Sequence, residues 1–230
     1  PTRRSSDLGN SIYDVEALNK VLGISKGEVF NQELLENRLR FSQDGRDISS
    51  LYLDNGYLFF QVDPQEKVVT KDSIDLDIKI YEGPQATIDR VIIKGNDRTN
   101  EHVIRRELYT RPGDKFSRQD IIRSQRQIAA LGYFNPETLG VNPITNPVKK
   151  TVDIEYTVEE KPSDQLELSA GWGGAGRGVI GTLGVSFNNF SINNILKKES
   201  WNPLPQGDGQ RLSLRAQSNG RFFQSYNASF

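Results

Sequence analysis

His102 is the only histidine among 230 residues, and no serine or carboxylate stands at a spacing that would make it a general base. It falls on a helical pattern and reads as a surface or half-buried side chain. Cysteine is absent, which removes disulfides and thiol chemistry, and no cluster has metal-ligand spacing. Asp75 and Asp77 share one face of an alternating stretch, as the outward charges of a half-buried strand do. Gly171-Trp-Gly-Gly-Ala-Gly176 matches the glycine pattern of a dinucleotide site, but that site needs a helix to begin there. Here Arg177-Gly-Val-Ile-Gly-Thr-Leu-Gly184 follows, β-branched and glycine-rich, with no acidic residue about 20 positions on. A hairpin loop fits better. Asn189-Phe-Ser191 and Asn227-Ala-Ser229 match glycosylation acceptors, a pattern that chance often produces. The residues thus predict neither an enzyme nor a cofactor, and function must come from elements that bind.

The composition narrows which partners those are. Net charge is −1, from 29 basic and 30 acidic residues, so no long-range field selects nucleic acid. No apolar run approaches the roughly 18–20 residues of a membrane helix. Methionine is also absent, and the chain is expected to be an internal piece of something longer. Residues 165–230 hold only 9 of the 59 charged residues but 10 of the 20 glycines. This shift places a boundary near Pro162-Ser163-Asp164.

Upstream of that boundary the chain repeats itself. Gly9-Asn10, Leu22, Gly27 and Phe30 recur as Gly95-Asn96, Leu108, Gly113 and Phe116, each 86 residues on. The second copy, 85–161, reads strand, helix, helix, strand, strand. Thr87–Lys94 is its first strand, and Asn100 caps a helix with Val103, Ile104 and Leu108 inward. Ser117-Arg-Gln-Asp120 opens a second helix as a capping box, with Ile121, Ile128 and Leu131 on its apolar face. Leu139–Ile144 and Thr151–Val158 close the copy as strands. The first copy, 9–84, has helices capped by Asp14 and Asn31, then strands at Tyr57–Val62 and Ile74–Ile80. Its offset to the second copy falls from 86 at Gly27 to 76 at Gly56, so Phe41–Ser50 is expected to be an extra loop or helix extension. Residues 1–8, where the first strand belongs, are polar and read as a non-native adapter-derived tail.

From Gln165 the period becomes two. Leu166, Leu168, Ala170 and Trp172 alternate with Gln165, Glu167, Ser169 and Gly171. Three further segments repeat the pattern: Val179–Asn188, Arg211–Gln217 and Phe222–Phe230. Such segments, small or apolar on one face and polar on the other, are what a membrane barrel shows, though a soluble antiparallel sheet alternates in the same way. Four strands cannot close a barrel, so 162–230 is expected to be an incomplete one.

The Gly-Asn turn, paired helices, Gly-Tyr and alternating last strand resemble POTRA domains, the periplasmic repeats of outer-membrane β-barrel assembly proteins. Val158-Glu-Glu-Lys-Pro-Ser-Asp-Gln-Leu-Glu-Leu-Ser-Ala-Gly-Trp172 is similar to the junction between the last POTRA domain and the first barrel strand in the BamA family. Gly184-Val-Ser-Phe-Asn-Asn-Phe190 and Gly207-Asp-Gly-Gln-Arg-Leu212 resemble its Bacteroidetes-type members. The fold class implied is α+β POTRA repeats followed by the first antiparallel strands of a transmembrane β-barrel, sited in the bacterial outer membrane with its repeats in the periplasm. The partners implied are unfolded outer-membrane β-barrel proteins, accessory assembly lipoproteins and outer-membrane lipid. The resemblance also assigns a gate strand, Gln165, Leu166, Glu167, Leu168, Ser169, Ala170, Gly171 and Trp172. Substrate-pairing edges are expected at Tyr57, Leu58, Phe59, Phe60, Gln61 and Val62, and at Leu139, Val141 and Ile144. A POTRA-containing secretion transporter and a soluble protein-binding module are the other readings of the same features.

Overall fold

The computed structural model describes residues 11–40, 42, 45–70, 73–172, 174, 178–201, 204–219 and 223–230. The tail 1–8, the Gly9-Asn10 turn, Phe41, Gly173, Gly176, Arg177 and Phe222 lie outside them. By its contacts the chain divides into two compact units. One holds the described residues up to Ile92 with Tyr109–Ser124 and Asn142–Glu155; the other holds Ile93–Leu108, Gln125–Val141 and Tyr156–Phe230.

In the first repeat, α1 (Val15–Leu22) starts where the Asp14 carboxylate accepts the Ala17 N–H at 2.8 Å, and ends at Gly23 in the left-handed conformation. Helix α2 (Gln32–Leu39) starts where the Asn31 side chain accepts the Leu34 N–H. Leu18, Leu22, Leu35 and Leu39 are buried together with Ile48 and Tyr52. The inserted stretch is loop at its described positions up to Asp47 and ends in a helix. That helix, α3 (Ile48–Leu53), begins inside the stretch and runs three residues past it, nucleated by buried Asp47, which accepts the Ser50 N–H and hydroxyl, both at 2.7 Å.

Strands β1 (Gln61–Thr70) and β2 (Ser73–Tyr81) pair antiparallel. Leu76, Ile78 and Ile80 lie against the helical core, and Asp77 on the opposite face pairs with Lys67 at 3.2 Å. Tyr57–Phe60 is not strand. Its amides close local turns onto Tyr52, Gly56 and Tyr57 carbonyls, and Phe60 stacks on Tyr52 at 4.3 Å. The four-residue apolar run therefore packs as a plug after α3, and pairing begins only at Gln61.

The second repeat comprises β3 (Thr87–Lys94), α4 (Glu101–Arg105), α5 (Arg118–Ala130), β4 (Gly140–Asn146) and β5 (Thr151–Thr157), with sheet order β3-β5-β4. Ser117 accepts the Asp120 N–H, one half of the expected capping box. Central β5 buries Val152, Ile154 and Tyr156 in strict alternation. Gly95 has φ 89°, and a Cβ there would stand 1.9 Å from the Val158 carbonyl oxygen, so only glycine fits. Gly27 and Gly113, at φ 92° and 94°, occupy the same left-handed turn in the two copies.

The last four strands, β6 (Gln165–Trp172), β7 (Val179–Phe190), β8 (Gln210–Ser218) and β9 (Gln224–Ser229), form an antiparallel sheet in chain order. Among the described residues β6 is followed by strand β7 and by no helix, whereas a dinucleotide site needs one there.

Candidate strand-pairing site

All eight residues assigned to the gate lie in β6, an outer strand of its sheet, which pairs with β7, Gln165 opposite Ser186 and Trp172 opposite Val179. Register decides what each face carries. Leu166, Leu168, Ala170 and Trp172 stand opposite Val185, Leu183, Gly181 and Val179. Those continue to Leu214, Ala216 and Ser218 on β8, then to Ala228, Tyr226 and Gln224 on β9. This apolar face is uncovered: Leu168 is 71% exposed, and Leu166 and Trp172 are similarly open. The other face carries Gln165, Glu167, Ser169, Thr182, Ser213, Arg215 and Asn227, with Ile180 opposite Gly171 as its apolar member.

On that polar face Glu167 of β6 meets Arg215 of β8 at 3.0 Å, across the intervening strand. The residue between them is Gly184, where a Cβ would stand 3.2 Å from the Glu167 carboxylate. A glycine in β7 therefore lets the outer strand be tied to the third strand. Neither Glu167 nor Arg215 was singled out as a pair from the sequence; the signal was their scarcity, as two of the nine charges in this segment.

The substrate-pairing assignments divide. Gln61 and Val62 open β1, whereas Tyr57, Leu58, Phe59 and Phe60 form the aromatic plug just described. Val141 and Ile144 lie in β4, an outer strand of the second repeat's sheet, and Leu139 precedes that strand by one residue. Both strands contain a proline, Pro64 in β1 and Pro143 in β4, as strands at sheet margins tolerate and central ones do not.

A polar joint that sequence reasoning missed lies within the second unit. Asn100 holds the N-cap position of α4, yet its side chain makes no cap bond; it donates instead to Asp208 at 2.7 Å. Asp208 is buried and also accepts from the Ser191 hydroxyl (2.7 Å) and the Asn193 amide (2.9 Å), with His102 3.7 Å away. Burial alone would raise its carboxyl; those three hydrogen bonds and His102 outweigh burial and hold it below the usual range. The Asn189 amide donates to Thr99 at 2.9 Å, and Tyr133 donates its hydroxyl to the Gly209 carbonyl. Glu160, from the Glu-Glu-Lys-Pro junction, accepts the Arg98 and Thr99 N–H groups. Serine, histidine and aspartate meet here, but the carboxylate is the middle member. A hydrolytic triad needs the imidazole there. The only trace of this joint in the sequence was Gly207-Asp-Gly209.

A second carboxylate does similar work in the first unit. Asp54 accepts the Gln119 N–H at 2.7 Å, at the first turn of α5. Burial raises its carboxyl, outweighing the Gln119 N–H and the nearby Arg118 guanidinium. Among the described residues, no group of three or more His, Asp or Glu is placed to hold a metal. Likewise no described helix is long and apolar enough to cross a membrane, a statement that does not bear on strands.

The family model for POTRA, the surface antigen variable number repeat, matches residues 8–83 and again 86–161. The chain is 27% identical over 178 residues to an outer membrane protein assembly factor BamA of Neorickettsia risticii, covering 77% of this chain and 23% of that one. It is 26% identical over 224 residues to the BamA of Nitratidesulfovibrio vulgaris, covering 96% of this chain and 26% of that one. It thus spans about a quarter of these curated relatives. The crystal structure of Haemophilus ducreyi BamA lacking POTRA domains 1–3 superposes over 92% of this chain and 37% of its own, with a TM-score of 0.67 at 20% identity, a likeness of fold.

Proposed function

This chain belongs to the POTRA family, and we propose that it is the part of an outer-membrane protein assembly factor in which two such repeats, 9–84 and 85–161, pass into the first strands of a transmembrane β-barrel, 162–230. The observation that carries this reading is the uncovered, mainly apolar face that stays in register across β6, β7, β8 and β9 while the opposite face is mainly polar. A face of that extent is expected to meet lipid, with the repeats in the periplasm.

The work proposed is strand pairing without bond chemistry. An incoming unfolded barrel protein adds to the free margin of β6, each main-chain hydrogen bond contributing about 0.5–1.5 kcal/mol with little demand on sequence. Gln165–Trp172 is the gate, and Gly171 near its end weakens local packing. In the repeats, the margins of β1 from Gln61 and of β4 at Val141 and Ile144 would receive extended segments earlier, with Pro64 and Pro143 limiting how far pairing runs. Accessory lipoproteins and outer-membrane lipid complete the proposed set of partners.

The test is Ser169→Pro in the full-length gene product, which removes a donor from the middle of β6. Client barrels should fail to reach the outer membrane while the variant itself is present at normal abundance. Unchanged client levels at equal abundance would overturn the gate assignment.

A further inference from the structure

The segment between β7 and β8, residues 191–209, presents a feature that strand pairing does not use. Leu196 is 94% exposed, and Ile192, Ile195 and Trp201 are also open to solvent beside Lys197 and Lys198. The segment's described residues, 191–201 and 204–209, are tied to one another. The Trp201 indole N–H donates to the Ile195 carbonyl at 3.2 Å, the Ser200 hydroxyl reaches the Lys197 carbonyl at 2.7 Å, and the Gln206 N–H returns to the Ser200 carbonyl at 3.0 Å. Beneath them buried Asn194 donates to the Gln206 carbonyl at 2.9 Å. A framework of hydrogen bonds thus holds apolar side chains outward, where water gives each no reward for its area.

We propose that this loop is an interfacial anchor that seats Ile192, Ile195, Leu196 and Trp201 at the headgroup–acyl boundary of the bilayer, with Lys197 and Lys198 against anionic phospholipid headgroups. The inference rests on the barrel reading of β6–β9 and adds a lipid contact to it. Strand length sets the depth. β7 has 12 residues, and about 9–11 tilted residues cross a bilayer, so the chain leaves hydrocarbon near its C-terminal end. There Phe190 packs edge-to-face on Phe230 at 6.1 Å, and Ile192 follows two residues later. Tryptophan and lysine are the side chains that favour this depth, with the ring at the interface and the ammonium reaching the phosphates. Lys197, Lys198 and Arg98 outnumber Glu199 and Asp97, the acids that line the same cavity, which is the complement an anionic surface requires.

The experiment places single cysteines at Leu196 and, separately, at Leu168 in an otherwise cysteine-free full-length gene product. Each is labelled with an environment-sensitive fluorophore and reconstituted into phosphatidylcholine vesicles with or without phosphatidylglycerol. Lipids spin-labelled at shallow or deep positions then report depth. The anchor predicts that the Leu196→Cys label is quenched more by shallow than by deep spin labels. It also predicts that Lys197→Gln with Lys198→Gln moves that label toward water in phosphatidylglycerol vesicles and leaves it in place in neutral ones. An unquenched label at 196 beside a quenched label at 168 would overturn the anchor and leave the barrel reading standing. Unquenched labels at both positions would overturn both.

Discussion

Only seven residues separate β5 from β6, and the two strands alternate apolar with polar side chains in the same way, yet their apolar faces meet opposite surroundings. Val152, Ile154 and Tyr156 are almost completely buried, whereas Leu166, Leu168 and Trp172 stand in the open. β5 is central in its sheet; β6 is marginal in the next. Alternation fixes which residues share a face, and says nothing of what covers that face. The lesson is in the flanking chain. The second repeat supplies α4 and α5 between its strands, while the described residues from Gln165 onward supply one strand after another and, of helical structure, a 3₁₀ turn at Lys198–Ser200.

The largest expected effect breaks this comparison directly. Ile154→Ala removes methyl and methylene groups from a site with no exposed surface and should destabilise the second repeat by about 2–5 kcal/mol. Leu168→Ala should leave thermal unfolding of the repeats unchanged, because its side chain is already open. Leu168→Arg instead should cost about 2–4 kcal/mol of membrane stability if that face meets the bilayer midplane. Thermal unfolding in water for the alanine pair, and resistance of the reconstituted protein to denaturant for the arginine, measure the two halves. Equal alanine costs would erase the distinction.

A second prediction sharpens it where the repeat and the sheet share one unit. Asp208→Asn replaces an acceptor of three hydrogen bonds, each of which would be worth about 1.5–3 kcal/mol to a charged group, and one is expected to be lost outright. Amide exchange at Asn100 and Gly209 should accelerate by roughly thirtyfold, the equivalent of about 2 kcal/mol. Acid should do the same to the native protein. Because the folded carboxyl lies below its ordinary value, its stabilisation is complete above about pH 3.9 and is lost as pH falls through the depressed folded value. Exchange at these two amides that stays flat on acidification would show that the carboxylate holds nothing in place.

What was readable in the sequence was local. Helix caps at Asp14 and Asn31, the recurring positive-φ glycines and the period-two segments each depend on residues within a few positions of one another, and the strands and helices fall where those signals stand. Tyr57–Phe60 misled because a continuous apolar run specifies burial without specifying period; the stacking partner, Tyr52, decides the conformation. Beyond Val62, β1 runs on through Pro64, which a strand tolerates only at a sheet margin, and margins are a property of topology. Asn100 carried the residue type of a helix cap but bonds across 108 positions to Asp208. No spacing rule reaches that far.

The smallest effect tests how firmly the outer strand is tied. The Glu167–Arg215 pair spans Gly184 with both side chains more than half exposed, so its coupling should be only about 0.2–1 kcal/mol, and less at high salt. Glu167→Gln, Arg215→Gln and the double variant form a cycle whose coupling is read from denaturant stability of the reconstituted protein at low and high ionic strength. A small, salt-sensitive coupling would mean that β6 is held by its main-chain ladder to β7, from Gln165 opposite Ser186 to Trp172 opposite Val179, and hardly by this pair, which leaves its other margin open to an incoming strand. A larger value that salt leaves unchanged would mark β6 as fastened. In that case Gly184→Ala, which crowds the Glu167 carboxylate, would loosen the tie of β6 to β8.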